Sequence, residues 1–127
     1  MTEQDILNKR LPEVFDKILT LGRDSIDIEH WTASEVICKL FEEGGELSTA
    51  TMIETGKMPH KKLDNPDEVF EEVADVIICA LDAATKVYHE KLSGDEIKAK
   101  VIAALERKSD KWRNKVLIPQ SDKVANL

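Results

Sequence analysis

Asn65-Pro66-Asp67-Glu68-Val69-Phe70-Glu71-Glu72-Val73-Ala74-Asp75-Val76-Ile77-Ile78-Cys79-Ala80-Leu81 is the stretch whose reading decides the fold. Asn65 suits a helix cap. Pro66 suits the first helical position, where its missing N–H costs nothing, and Glu68 would complete a capping box. Behind this start, Val69, Phe70, Val73, Ala74, Val76, Ile77, Ala80, Leu81, Ala84 and Val87 form a broad apolar arc at helical spacing. A helix apolar over so wide an arc is expected to be buried on more than one side, at the centre of a bundle or in a subunit interface.

Working outward, the preceding helix has a strong start. Thr32 and Glu35 fit a capping box, in which each side chain satisfies a free backbone donor. Val36, Ile37, Leu40, Phe41, Gly44, Leu47 and Ser48 follow on one face, and Gly56 is the expected stop. The loop from Gly56 to Asp64 carries Lys57, His60, Lys61 and Lys62. Nearer the N-terminus, Ile6, Leu7, Leu11, Val14, Phe15, Ile18 and Leu19 keep a helical period. Pro12 is expected to break or restart that helix. Gly22 is expected to end it, leaving Arg23 to Trp31 as a polar linker. Ser93 and Glu96 open a last helix through Ile97, Val101, Ile102 and Leu105, which becomes basic at Arg107, Lys108, Lys111, Arg113 and Lys115. Nothing alternates like a strand. The expected architecture is an all-α antiparallel four-helix bundle in one domain, residues 1–118, with a C-terminal tail over 119–127.

Composition narrows the function. The 127 residues can bury one core, and a charged fraction of 34% against 42% hydrophobic suits a soluble helical protein. A net charge of -7 argues against a nucleic-acid polymer or an anionic membrane as partner. No apolar run approaches the ~20 residues of a membrane span. Met1-Thr2-Glu3-Gln4-Asp5 lacks the basic and apolar regions of a signal peptide. Cys38 and Cys79 have no paired spacing and read as reduced thiols, so a cytoplasmic location is expected.

The acids carry the chemistry. Glu42-Glu43-Gly44-Gly45-Glu46-Leu47 is echoed by Glu71-Glu72-Val73-Ala74-Asp75-Val76, and both copies fall on helices. On the later helix Glu68, Glu72, Asp75, Cys79 and Asp82 make one seam. Such acids commonly form a wet surface. Yet like charges one turn apart repel, and no basic residue interrupts Phe41 to Leu47 or Val69 to Val76. Two helices presenting matched carboxylates can converge on Mg²⁺ or Mn²⁺, and four or five carboxylates leave room for more than one ion. A di-iron bundle would need Glu-x-x-His. His30, His60 and His89 are preceded at that distance by Asp27, Lys57 and Lys86 instead. The all-carboxylate set favours Mg²⁺ or Mn²⁺ over iron or zinc.

Glu43-x-x-Glu46 followed by Glu72-x-x-Asp75, within Leu40 to Leu47 and Glu71 to Ile77, resembles the signature of the all-α, MazG-like nucleoside triphosphate pyrophosphohydrolases. That superfamily includes dimeric dUTPases, dCTP pyrophosphatases and phosphoribosyl-ATP pyrophosphohydrolases. The resemblance spans Trp31 to Arg113. It implies hydrolysis between the α and β phosphates, releasing a nucleoside monophosphate and pyrophosphate. It implies Glu43, Glu46, Glu72 and Asp75 as metal ligands, with Glu42 at the position of a general base in some members. Glu42 as an outer or solvated glutamate stays an open reading. Lys108, Lys111 and Arg113 resemble the phosphate-binding end, although Trp112 stands where many members have asparagine. Those cations also suit a helix C-terminus without any ligand. His30 and Trp31 occupy a region that contacts the base in dCTP-type relatives, while Trp31 equally suits a hydrophobic staple before Thr32. Lys57, Lys61 and Lys62 either close over phosphates or stay solvated. The resemblance also implies a homodimer or homotetramer. Two alternatives remain: a phosphoribosyl-ATP pyrophosphohydrolase, and a non-catalytic helical module with an acidic face.

Overall fold

The computed structural model describes the backbone of residues 1–125 and the side chains of residues 1–117. The chain is all-α: α1 (Glu3–Asp24), α2 (Ile26–Glu29), α3 (Ala33–Glu54), α4 (Glu68–Tyr88) and α5 (Gly94–Ala125). Among the described residues there is no strand. The four long helices are those expected, and α2 is a single added turn. Helix α4 packs against α1, α3 and α5, but of its expected apolar arc only Leu81 is buried, while Phe70, Val73, Ala74, Ile77, Ala80 and Val87 stay exposed.

The core lies where α1, α4 and α5 meet. Leu19, Leu81 and Ile97 are buried there, with Phe15, Ile18, Ala84, Leu92 and Val101 packed around them. Full burial of such a side chain contributes roughly 1.5–3 kcal/mol. Val36 and Ala50 are buried on α3. A polar clip fixes α1 on α4. The Lys86 ammonium, its side chain 2% exposed, donates to the Gly22 carbonyl at 2.9 Å, to Asp82 Oδ1 at 2.9 Å and to Ser25 Oγ at 3.3 Å. Three partners use all three donors of the ammonium, which is what a buried lysine requires. Arg23 adds a bond to the Leu92 carbonyl at 2.9 Å, tying α1 to the segment before α5.

The helix starts are partly as read. Thr32 and Glu35 form their capping box at 3.4 and 3.1 Å, and Ser93 and Glu96 form theirs at 3.2 and 3.1 Å. Gly56 follows the end of α3 with φ of +79°, a left-handed conformation that glycine adopts without Cβ strain. A further capping box pairs Thr2 with Asp5 at 3.1 and 3.0 Å, and its hydrogen bonds lower the Asp5 carboxyl pKa.

Five readings need correction. Pro12 lies inside a continuous α1. Pro12 and Asn8 are both exposed, so the Asn8 carbonyl that loses its donor can be hydrated rather than orphaned. Gly22 also lies within α1, where its bare backbone lets α4 approach: a Cβ there would stand 2.8 Å from Asp82 Oδ1. The polar linker contains α2, closed by His30 in the left-handed region at φ 55°. Finally, α4 starts at Glu68 rather than Pro66. Asn65 Oδ1 accepts from the Asp67 N–H at 2.9 Å, a tight turn ahead of the helix, and Glu68 Oε2 reaches back to the Asp64 N–H at 3.2 Å. Helix α5 runs on through Pro119 to Ala125, so most of the expected tail has a helical backbone; its last two positions lie outside the described residues. Among the described residues no helix is long and apolar enough to cross a membrane.

Candidate metal centre

The two acidic phrases meet along the α3–α4 contact. Carboxyl oxygens of Glu43, Glu46 and Glu72 lie within 4.8 Å of one another. Glu43 is 7% exposed. Its Oε1 receives the Lys39 ammonium at 3.1 Å, while Oε2 is buried with no hydrogen-bond partner. Glu72 Oε2 is likewise buried and unpartnered. A buried polar atom without a partner costs on the order of 1–3 kcal/mol, and more when charged. The contrast with Lys86 is informative. One buried charge of this molecule uses its full bonding capacity, whereas the carboxylate facing α4 keeps an oxygen that only a proton on a neighbouring acid or a cation can satisfy.

Electrostatics say the same. The Glu46 carboxyl is pushed above its ordinary 4.5, first by a hydrogen bond with Glu43, then by the Glu43 charge and by burial, with Glu72 and Glu42 adding to it. Burial is the first cause that raises Glu72, followed by the charges of Asp75, Glu43 and Glu68; a hydrogen bond from Glu46 acts the other way. The cluster thus holds more negative charge than its surroundings neutralise. Lys39 is the cation in contact with it, also 3.6 Å from Glu42 Oε2, and these carboxylates raise the Lys39 pKa, foremost through the Glu43 bond.

The donor set fits a hard divalent cation. Ligands at 2.0–2.1 Å around Mg²⁺ stand at most ~4.2 Å apart, so drawing in oxygens now within 4.8 Å takes side-chain shifts below about an ångström. No histidine enters the cluster, in keeping with Mg²⁺ or Mn²⁺ rather than iron or zinc. Asp75, one turn beyond Glu72, is exposed and outside the close trio, though near enough for its charge to act on Glu72. The rest of the seam has other work. Asp82 is committed to Lys86, and Glu68 reaches back to Asp64. Burial and the Glu43 charge push the Cys79 thiol up, as suits a packing residue rather than a nucleophile.

Beside the trio runs a groove of about 540 Å³, lined by Glu42, Gly45, Glu46, Thr49 and Ile53 of α3 and by Glu68 and Glu72 of α4. At Ile53 it adjoins a second hollow of about 350 Å³ whose walls include Lys61, Lys62 and Asn65. No family model, curated protein or solved structure matches the chain. The remaining sequence candidates stand apart from the groove's lining. His30 and Trp31 are exposed at the turn before α3. Lys108, Lys111 and Arg113 are exposed on α5, where Arg113 sits 3.9 Å from Asp110. Lys39 was not among the sequence candidates. The signal for it was present: it stands one turn ahead of Glu43, just outside the lysine-free run from Phe41 to Leu47.

Proposed function

We propose that the chain is a Mg²⁺-dependent nucleoside triphosphate pyrophosphohydrolase that cleaves between the α and β phosphates of a deoxynucleotide or a non-standard nucleotide. The observation that carries this reading is the Glu43, Glu46 and Glu72 cluster with its idle buried oxygens, set beside an open groove. The reaction class rests on the resemblance of the paired acidic motifs. Glu43, Glu46 and Glu72, with Asp75 swinging in as a fourth, would hold the metal. When bound, Mg²⁺ would offset the charge of both the carboxylates and the triphosphate.

The chain's own residues do the rest. Glu42, with 59% of its side chain exposed, lines the groove and would take the proton from the attacking water. The new bond joins that water's oxygen to the α phosphorus. The bond that breaks joins the α phosphorus to its bridging oxygen, and pyrophosphate leaves. Lys61 and Lys62 line the adjoining hollow and suit the leaving phosphates. Lys108, Lys111 and Arg113 would reach phosphates, and His30 and Trp31 a base, only as parts of a larger assembly or a closed state. Self-association into a homodimer or homotetramer belongs to the same reading.

A non-catalytic acidic module fits less well, because a merely solvated acidic face does not bury Glu43. A panel of common and damaged nucleoside triphosphates, with phosphoribosyl-ATP among them, tests the proposal. Pyrophosphate is expected as the primary product in the presence of Mg²⁺. Glu43→Gln is expected to abolish turnover with helical circular dichroism unchanged. Orthophosphate as first product, or full activity in Glu43→Gln, would sink the assignment.

A further inference from the structure

We infer that Lys39 is a positioning residue for the carboxylate centre, holding Glu43 by one oxygen so that the other stays free for a divalent cation. The inference rests on the centre proposed above and deepens it. Lys39 stands one turn before Glu42 and Glu43 on α3, and its ammonium is 3.6 Å from Glu42 Oε2 and 3.1 Å from Glu43 Oε1. Glu43 is 7% exposed, and its second oxygen is buried without a partner. A glutamate has three side-chain torsions, and Glu46 and Glu72 repel this one from the position it occupies. Something must oppose that repulsion, and Lys39 is the cation in contact. By touching Glu42 as well, the same ammonium sets the spacing between the candidate base and a metal ligand. Groups that orient ligands from behind in this way typically change metal affinity 10- to 100-fold when removed.

Two other roles for Lys39 predict different signs. An ordinary exposed helix ion pair is worth a few tenths of a kcal/mol and leaves cation binding unaffected. A placeholder that merely fills the cation's position competes with it, so its removal tightens binding; loss of one positive charge beside the site acts in the same direction. A positioning residue alone makes removal weaken binding.

The test is Mn²⁺ titration of the full chain, by calorimetry and by the electron paramagnetic resonance signal of free Mn²⁺. Wild type, Lys39→Met, Lys39→Gln and Lys39→Arg are compared, each checked by circular dichroism. Lys39→Met is expected to bind Mn²⁺ at least ten-fold more weakly, with Lys39→Arg recovering affinity to within a few-fold because it restores the cationic donor. Lys39→Gln, which keeps the polar length without the charge, is expected to behave as Lys39→Met and serves in its place if methionine disturbs the fold. Equal or tighter binding in the folded neutral variants, with Mn²⁺ still bound by wild type, overturns the role of Lys39 and leaves the centre standing. Absence of Mn²⁺ binding by wild type overturns the centre itself, and the role of Lys39 with it.

Discussion

Gly22 is the glycine with the least room in the fold. A Cβ there would lie 2.8 Å from Asp82 Oδ1. The end of a free aspartate could swing aside at little cost. This one is held at 2.9 Å by the buried ammonium of Lys86, which also takes the Gly22 carbonyl. Moving Asp82 therefore weakens the clip that seats α1 on α4. Helix propensity favours alanine over glycine by about 1 kcal/mol, whereas forcing an atom into a filled contact costs about 1–3 kcal/mol. The second effect is expected to win, so Gly22→Ala should lower stability in denaturant unfolding. Gly44 provides the control of opposite sign. Nothing lies within 4 Å of its absent Cβ, so Gly44→Ala should raise stability by up to about 1 kcal/mol. Equal effects at the two glycines would show that helix propensity, not the approach of Asp82, governs the Gly22 position.

At the scale of the elements, the α3–α4 contact stores the molecule's pH dependence. Glu46 and Glu72 are both raised above 4.5 in the folded chain. The folded state therefore takes up their protons at higher pH than the unfolded state does. Stability contributed by these two groups is present at pH below the raised range and is lost as the pH climbs through it. Asp5 and Glu96 act in the other direction. Their caps lower them, so their contribution is present above the ordinary carboxyl range and is lost as the pH falls through their depressed values. Metal-free protein in EDTA should thus be most stable in a mildly acidic window and should lose stability toward neutral pH. Mn²⁺ should reverse that loss, by an amount that grows with pH, because cation and protons compete for the same oxygens. Thermal unfolding over a pH series with and without Mn²⁺ measures both slopes. A Mn²⁺ effect independent of pH would mean the ion binds elsewhere.

The same helices show what a sequence discloses. The Thr32 and Ser93 caps and the Gly56 stop were legible because each is a short-range bargain between neighbours. The helical nature of α4 was legible from its apolar arc, but the burial of that arc was not: Leu81 alone of it is buried, and Phe70, Val73 and Ile77 stay exposed. The continuity of α1 through Pro12 was not, since it depends on which face meets water. The doubled phrase named four acids, Glu43, Glu46, Glu72 and Asp75, of which the fold brings three together; the division of labour along the α4 seam was not legible. Asp82 looks like a member of the site, but Lys86 one turn later claims it, and that lysine is held in turn by the Gly22 carbonyl, distant in sequence. The role of Lys39 was not legible, because a lysine one turn before two glutamates is equally an ordinary exposed helix ion pair until the burial of Glu43 is known.

The whole molecule exposes more surface than a chain of its mass should. Its accessible area is 9871 Å², where a compact monomer of 14.3 kDa would expose about 6,800 Å². Helix α5, whose residues are all exposed from Leu105 to Leu117, accounts for part of the surplus of about 3,000 Å². Apolar side chains account for more of it: Phe41 is 77% exposed, Phe70 74%, Leu11 61% and Trp112 71%. On α4, Phe70, Val73 and Ile77 continue one face of the arc and are all exposed. A standard interface takes about 800 Å² from each partner, well within this surplus. Solitary exposed apolar residues are ordinary, but a row of them along the helix that also carries the acidic centre is expected to be covered by a second copy. Light scattering should therefore give a homodimer or homotetramer at working concentration. Phe70→Asp should shift the population toward smaller species, because a carboxylate buried in an apolar contact lacks a partner. Wild-type protein that scatters as a monomer would contradict this expectation, and would leave the α4 arc covered by neither the bundle nor a copy of itself.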